Sequence, residues 1–246
     1  MAKLSHTLNP FGQPVGHSLQ DWTPPPLPGR ELIAGRYCRL EPLDPDRHAE
    51  ALYEAFMSGT DGRNWTYLMS EPFNSFEEFR AWLDAFCMGD DPLFFTIIRQ
   101  SDQQPAGLAS YLRIAPAAGS IEVGHLHFSE KLKRSPAATE AMFLMMERAF
   151  ELGYRRYEWK CDALNAPSRE AAQRLGFSYE GTFRQAMLYK GRTRDTAWFA
   201  MIDSEWPQLK QAFLEWLAPD NFDQQGMQRT RLRDLTCSVL QPGKRS

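Results

Sequence analysis

Cysteine is scarce in this chain: 4 in 246 residues, at Cys38, Cys87, Cys161 and Cys237. No two lie close enough in sequence to suggest a metal knuckle or a disulfide scaffold, so buried thiols in a reducing, cytoplasmic setting are expected. Long apolar runs are missing as well. Nothing approaches the roughly 18 residues that a membrane span requires, and the opening MAKLSHTLNPFG lacks the apolar middle of a secretion signal. No membrane partner is expected. Nor is there an excess of one charge: 28 Lys and Arg stand against 31 Asp and Glu, for a net charge of -3. Such a balance provides no global attraction to nucleic acid, so no nucleic-acid partner is expected and any phosphate recognition must be local. The phosphate loop of ATPases, the dinucleotide fingerprint, the hydrolase elbow and His/Cys/Asp sets with metal spacing are all absent, and no metal is expected.

What is present is an ordinary folded composition, 43% hydrophobic and 24% charged. Residues 1–35 concentrate proline and glycine, which blocks helix and ladder hydrogen bonds, and read as an N-terminal arm. Leu19, Trp22 and Leu27 could pack that arm onto the rest. Residues 36–218 alternate helical and strand periods, whereas residues 219–246 lose periodicity and read as a C-terminal tail. A first strand, RYCRLEPL, precedes a helix with His48, Leu52, Ala55 and Phe56 on one face, capped by Asp44 or Asp46. Phe76, Phe79, Leu83 and Phe86 mark a second helix, capped by Asn74 or Ser75. PLFFTIIR and AGLASYLRI read as an antiparallel hairpin.

The strand GSIEVGHLHFSE changes phase, with Ile121 and Val123 apolar at odd positions but Leu126 and Phe128 at even ones. One inserted residue, a bulge at Gly124, would return all four to one face and leave Glu122, His125 and His127 on the other. The segment SPAATEAMFLMMERAFELGY reads as a buried helix with Ser135 at its N-cap, Pro136 in its first turn and Gly153 at its end. YRRYEWKCD is a strand, APSREAAQRLGF a short helix, residues 178–189 and 193–203 two strands about Lys190-Gly191, and Trp206, Leu209, Phe213 and Trp216 define a last helix. This order predicts an α/β (α+β) fold: a mixed sheet with helices on its faces.

The local chemical signal is KLKRSPAATEA, where Lys131, Lys133 and Arg134 precede the capped start of the buried helix. Free N–H groups and the positive end of the helix dipole suit an anion such as pyrophosphate. Because Pro136 has no N–H, Ala137, Ala138 and Thr139 would have to donate.

The bulged strand, the basic turn into a long helix, Thr139-Glu140-Ala141, Asn165 to Ser168, Gly176-Phe177, Glu180-Gly181 and Asp195 occur in an order that resembles the GNAT superfamily of acetyl-CoA-dependent N-acetyltransferases. The likeness spans roughly residues 36–217 and is greatest to the ribosomal-protein-alanine (RimJ/RimL-like) branch. It implies a mostly antiparallel mixed sheet with a bulged central strand, and acetyl-CoA as co-substrate. The family's pyrophosphate motif falls on Lys133, Arg134, Ser135, Pro136, Ala137 and Ala138, with Lys and Pro departing from its usual Gln/Arg and Gly. Asn165 falls where the family holds the pantetheine arm, and Gly124 and His125 where backbone N–H groups polarise the thioester carbonyl.

For chemistry, the resemblance requires a base for the amine and an acid for the departing thiolate. Glu122 is the first choice of base, with His125 and His127 as alternatives. The helix Tyr used by many members is replaced by Ala172, and the branch with Asn-x-x-Ser assigns the acid role to Ser168. Trp65, Tyr67 and Phe73 are either acceptor-pocket walls or core. The expected activity is transfer of acetyl to a primary amine, on a protein N-terminus or a small molecule, by direct attack in a ternary complex. The alternative is a non-catalytic acyl-CoA-binding or regulatory module. Dimers occur in the resembling branch, so a homodimer is compatible with it.

Overall fold

A computed structural model describes residues 6–58 and 61–240. Strands β1 (Thr7–Leu8) and β2 (Pro14–Val15) form a small separate hairpin. The main sheet comprises β3 (Ile33–Ala34), β4 (Cys38–Pro42), β5 (Leu93–Arg99), β6 (Pro105–Ala115), β7 (Ser120–Phe128), β8 (Arg156–Asp162), β9 (Ser178–Tyr189) and β10 (Arg192–Ile202). Its spatial order is β3-β4-β5-β6-β7-β8-β10-β9, antiparallel throughout except where β7 and β8 run parallel. Among the described residues six α-helices accompany it: α1 (Pro45–Met57), α2 (Phe76–Phe86), α3 (Pro136–Glu151), α4 (Ala166–Arg174), α5 (Trp206–Leu217) and α6 (Leu232–Leu240).

Around β5 both faces of the sheet are covered, which explains its unbroken burial from Leu93 to Ile98. Phe94 and Leu108 point into one cluster with Leu52, Phe56, Phe79 and Leu83 of α1 and α2. Phe95, Ile97 and Tyr111 point the other way, into a larger core shared with α3 and α5. Helix α3 is apolar nearly all round because it is buried nearly all round; Tyr111 even donates its hydroxyl to the Met145 carbonyl at 2.6 Å. Each fully buried Phe or Leu stabilises the fold by roughly 1.5–3 kcal/mol.

Helix boundaries follow from capping chemistry. The Asp44 carboxylate accepts the Asp46 N–H at 3.0 Å, Ser75 Oγ that of Glu78 at 3.3 Å, and Ser135 Oγ that of Ala138 at 3.2 Å. After α3 the chain leaves through Gly153 at φ +100°, a conformation that strains side-chain-bearing residues.

The two ends depart from the sequence expectation. In the N-terminal arm Trp22 packs, with the Arg155 guanidinium 5.8 Å from its ring centre, and Pro25 and Pro28 are buried. Leu19 and Leu27, by contrast, stay 47% and 64% exposed. Proline carbonyls and arm charges do the fastening: Tyr154 donates to the Pro26 carbonyl at 3.2 Å and Arg148 pairs with Glu31 at 2.9 Å. At the other end, the stretch that reads as an aperiodic tail contains α6, whose Leu232 and Thr236 are buried against α4 and α5. Its last residues, 241–246, lie outside those described.

Candidate active site

The phase change in β7 is a bulge. Leu108 of β6 lies opposite His127 and Ser110 opposite Gly124, so His125 and Leu126 together face Ala109. The residue in the left-handed conformation is His125, at φ +49°, and not Gly124. Glycine at 124 answers a different need, since a Cβ there would stand 2.9 Å from Leu112 Cδ2. As the alternation predicts, Ile121 and Val123 face the α3 side with Leu126 and Phe128 packed against that core. Beyond the bulge β7 separates from β8, their pairing ending at Val123 opposite Trp159. The split opens a cavity of about 1460 Å3 that runs between β7, β8, the start of α3, α4 and the β9–β10 hairpin.

Glu122 sits at the head of this split, 3% exposed. Its Oε1 lies 2.7 Å from Arg113 Nη1 and its Oε2 2.8 Å from Lys160 Nζ. Burial nonetheless pushes its carboxyl pKa upward, because desolvation outweighs the pull of the two cations. Lys160 is itself shared, 2.7 Å from Glu158 and 3.8 Å from the Trp198 ring centre. Sequence reasoning missed both cations. Lys160 was signalled by its place on the polar alternation of β8, but Arg113 owes its aim to a second bulge. There Arg113 takes φ +47°, and the Asp91 carboxylate accepts the N–H groups of Arg113 and Ile114 at 2.8 and 3.0 Å.

The two histidines beside Glu122 occupy different surroundings. His125 Nδ1 lies 2.9 Å from Ser110 Oγ and its ring packs against Phe86 and Phe94; burial lowers its pKa to about 4. His127 stacks on Phe56 at 3.7 Å and meets Trp65 edge-on at 4.2 Å, with a pKa lowered by burial to about 3. Both imidazoles are therefore neutral near pH 7.

Ser168 Oγ accepts the indole N–H of Trp159 at 3.0 Å and reaches the thiol of Cys161. Asn165 caps α4, its side-chain oxygen accepting the Ser168 N–H at 3.1 Å, so its placement beside the cavity also fixes Ser168. Ala172 is wholly buried.

At the α3 start the basic turn is only partly free. Lys133 Nζ bonds to Asn64 and, at 2.7 Å, to Glu130. Arg134, at φ +56°, has no ionic partner among the described residues. Ser135 caps the Ala138 N–H, and Thr139 N–H returns to the Ser135 carbonyl at 3.4 Å. The backbone N–H groups of Arg134 and Ala137 remain without an acceptor among the described residues, and the two residues lie on either side of Ser135-Pro136 in the turn. Of the three rings proposed as acceptor walls, Tyr67 lines the cavity and donates to the Leu164 carbonyl at 3.2 Å. Trp65 and Phe73 pack into the aromatic core beneath α1 and α2.

Other residues of the sequence pattern are structural. Glu140 accepts the N–H groups of Arg36, Tyr37 and Cys38. Asp195 accepts the Gln185 N–H at 2.7 Å, and Glu180 pairs with Arg156 through two bonds. Among the described residues no group of three His, Cys, Asp or Glu is placed to hold a metal ion, and no helix is long and apolar enough to cross a membrane.

A mostly antiparallel sheet, split at a bulge beside a capped helix start that offers free N–H groups, defines the acyl-transferase architecture expected from the sequence. The family model for the acetyltransferase (GNAT) domain matches residues 38–178. The structure of a GCN5-related N-acetyltransferase from Brucella melitensis is 49% identical, covering 89% of this chain and 100% of its own, with a TM-score of 0.87. A GNAT-family acetyltransferase from Chromobacterium violaceum is 40% identical over 79% of this chain and 98% of its own, with a TM-score of 0.74. The fold also matches RimL, a ribosomal alpha-N-protein acetyltransferase, at a TM-score of 0.57 and 22% identity over 70% of this chain and 94% of that one. No curated protein matches the chain. The chain belongs to the GNAT family of N-acetyltransferases.

Proposed function

We propose that this enzyme moves an acetyl group from acetyl-CoA to a primary amine, of a protein N-terminus or a small molecule, by direct attack within a ternary complex. The observation that carries this reading is the alignment of three features along one cavity: the buried Glu122 carboxylate, the Ser168 hydroxyl and the free N–H groups of the α3 turn. The residues present fit the co-substrate. Unsatisfied backbone donors and an unpaired Arg134 suit its phosphates, and the β7–β8 split suits its narrow arm. When bound, acetyl-CoA supplies an acetyl group activated as a thioester.

Glu122, with its raised pKa, accepts the ammonium proton directly or through one water, and the two cations then hold the carboxyl in place while it carries that proton. His125 and His127, neutral at pH 7, are the alternative bases. Gly124 and His125 place their backbone at the bend where the carbonyl needs polarising. Ser168 keeps a polar proton in the cavity while the Trp159 N–H stabilises charge on its oxygen, so the hydroxyl can give that proton to a departing thiolate and take up the second proton that the attacking nitrogen sheds. Tyr67, on the cavity wall, orients the acceptor.

Two observations favour a second reading, a non-catalytic acyl-CoA-binding module: Glu122 is clamped by two cations and Ala172 leaves no tyrosine acid. Incubating the protein with acetyl-CoA and a panel of N-terminal peptides and small amines, read by mass spectrometry, separates the two. Acetylated product from any amine supports the enzyme. Tight binding of acetyl-CoA with no product from any acceptor supports the module.

A further inference from the structure

Four arginines line the α3 end of the cavity, Arg134, Arg174, Arg231 and Arg233, and among the described residues none of them forms an ion pair. Three elements bring them there. Arg174, in the last turn of α4, donates from Nη1 to Thr139 Oγ1 in the first turn of α3 at 3.3 Å, while its carbonyl accepts the hydroxyl of Thr236 of α6 at 3.1 Å. Helix α6 is thus tied through α4 to the start of α3.

The approach to α6 is fixed as well. Buried Asn221 donates to the Trp216 and Thr230 carbonyls at 2.9 and 3.2 Å, and its side-chain oxygen accepts the Thr230 N–H at 2.8 Å. Trp216 Nε1 donates to Gln228 Oε1 at 2.8 Å, and Leu232 is buried. Arg231 and Arg233, on either side of Leu232, project from a constrained corner.

The charge arrangement there opposes stability. Arg134 precedes the N-terminus of α3, and Arg231 and Arg233 flank the first residue of α6, so cations gather at the positive ends of two helices, where anions are favoured. The nearby carboxylates in sequence are Glu130, four residues before Arg134, Glu170, four residues before Arg174, and Asp234 in the first turn of α6. The Glu130 carboxyl pKa is lowered mainly by its bond from Lys133 and in smaller part by the charge of Arg134, and none of the three carboxylates forms an ion pair with these arginines. In a protein of net charge -3 such a concentration calls for an anionic ligand. The two free N–H groups of the α3 turn suit one diphosphate, which leaves Arg231 and Arg233, on a separate element, for a second anionic group.

We propose that the segment 228–233, which lies outside the stretch matched by the family model, closes the cofactor end of the cavity and that Arg231 and Arg233 hold a terminal phosphomonoester, the 3'-phosphate of CoA. This inference rests on the acetyl-CoA reading above. Diphosphate and phosphomonoester together carry about four negative charges at neutral pH, the number that the four arginines balance.

Titration calorimetry of the full chain with acetyl-CoA and with 3'-dephospho-acetyl-CoA tests it. The wild type should prefer the phosphorylated form at least tenfold, roughly the effect of a charge-assisted contact. The double variant Arg231→Ala, Arg233→Ala should lose that preference, binding acetyl-CoA at least tenfold more weakly and the dephospho form as before. Arg231→Lys with Arg233→Lys should restore part of the preference, which unfolding of α6 would not allow. Equal affinity of the wild type for the two forms, or an equal loss for both in the double variant, overturns the clamp and leaves the acetyltransferase reading standing. Failure of the wild type to bind either form overturns both.

Discussion

The indole N–H of Trp159 points at the oxygen of Ser168, 3.0 Å away, and so joins the last paired residue of the split strands to the first turn of α4. Ser168 Oγ is the acceptor in that bond and keeps a proton of its own. Replacing it with Ala removes that proton and leaves a buried donor without a partner. Ser168→Ala is expected to lower kcat at least tenfold with the Kd for acetyl-CoA unchanged, and to cost about 1 kcal/mol of stability. Steady-state kinetics, calorimetry and thermal denaturation together check this.

Glu122 should make the rate rise with pH through a value above the ordinary carboxylate range, since only its charged form accepts a proton. Glu122→Gln is expected to lower kcat by roughly a hundredfold while acetyl-CoA still binds. Lys160→Met removes a cation that holds the carboxyl charged, and should move the acidic limb of the profile to higher pH. An unmoved limb would transfer the base role away from Glu122.

Stability should fall on mild acidification. In the folded state His125 and His127 bind protons only near pH 4 and 3, whereas the unfolded chain binds them near 6.5. Below pH 6.5 the unfolded state therefore holds more protons, and stability declines by about 1.4 kcal/mol per pH unit for each imidazole until the folded pKa is reached. His127→Phe, which keeps a ring against Phe56 and Trp65, should flatten the dependence of Tm on pH between 6.5 and 4.

Glu140 should prove structural. Its carboxylate accepts N–H groups from Arg36, Tyr37 and Cys38 at 2.9, 2.6 and 2.8 Å, and Gly35 has no room for a Cβ, which would lie 2.5 Å from Glu140 Oε2. Glu140→Gln puts an amide N–H₂ where an acceptor is needed and is expected to cost about 2–4 kcal/mol in urea denaturation, with KM for acetyl-CoA nearly unchanged.

Much of this arrangement is legible in the residues themselves. The phase change between Val123 and Leu126 encodes the bulge, and Ser135-Pro136 encodes the start of α3, because pleat and capping are local rules. The setting of Glu122 is not local. Arg113 reaches it through a bulge that Asp91 stabilises, and Lys160 through a register between strands far apart in sequence. Charge pattern likewise marks Lys133 as a phosphate ligand, yet Asn64, from a distant loop, occupies its ammonium. Leu232, Leu235 and Val239 do carry helical spacing, but nine residues after a run rich in Gln, Asp and Gly make too short a period to stand out. Trp65 and Phe73 could have been wall or core, since an aromatic residue has the same composition in both.

Where β7 leaves β8, each strand keeps its outer partner, β6 on one side and β10 on the other, and loses its inner one. The sheet thus contains a margin within its own interior, a pair of facing backbone rows with no ladder between them. An exposed margin of this kind would invite a second copy of the chain to add a strand. Bordered by α3, α4 and the β9–β10 hairpin, this margin faces the cavity instead of bulk solvent, which shields its unpaired backbone from a second copy.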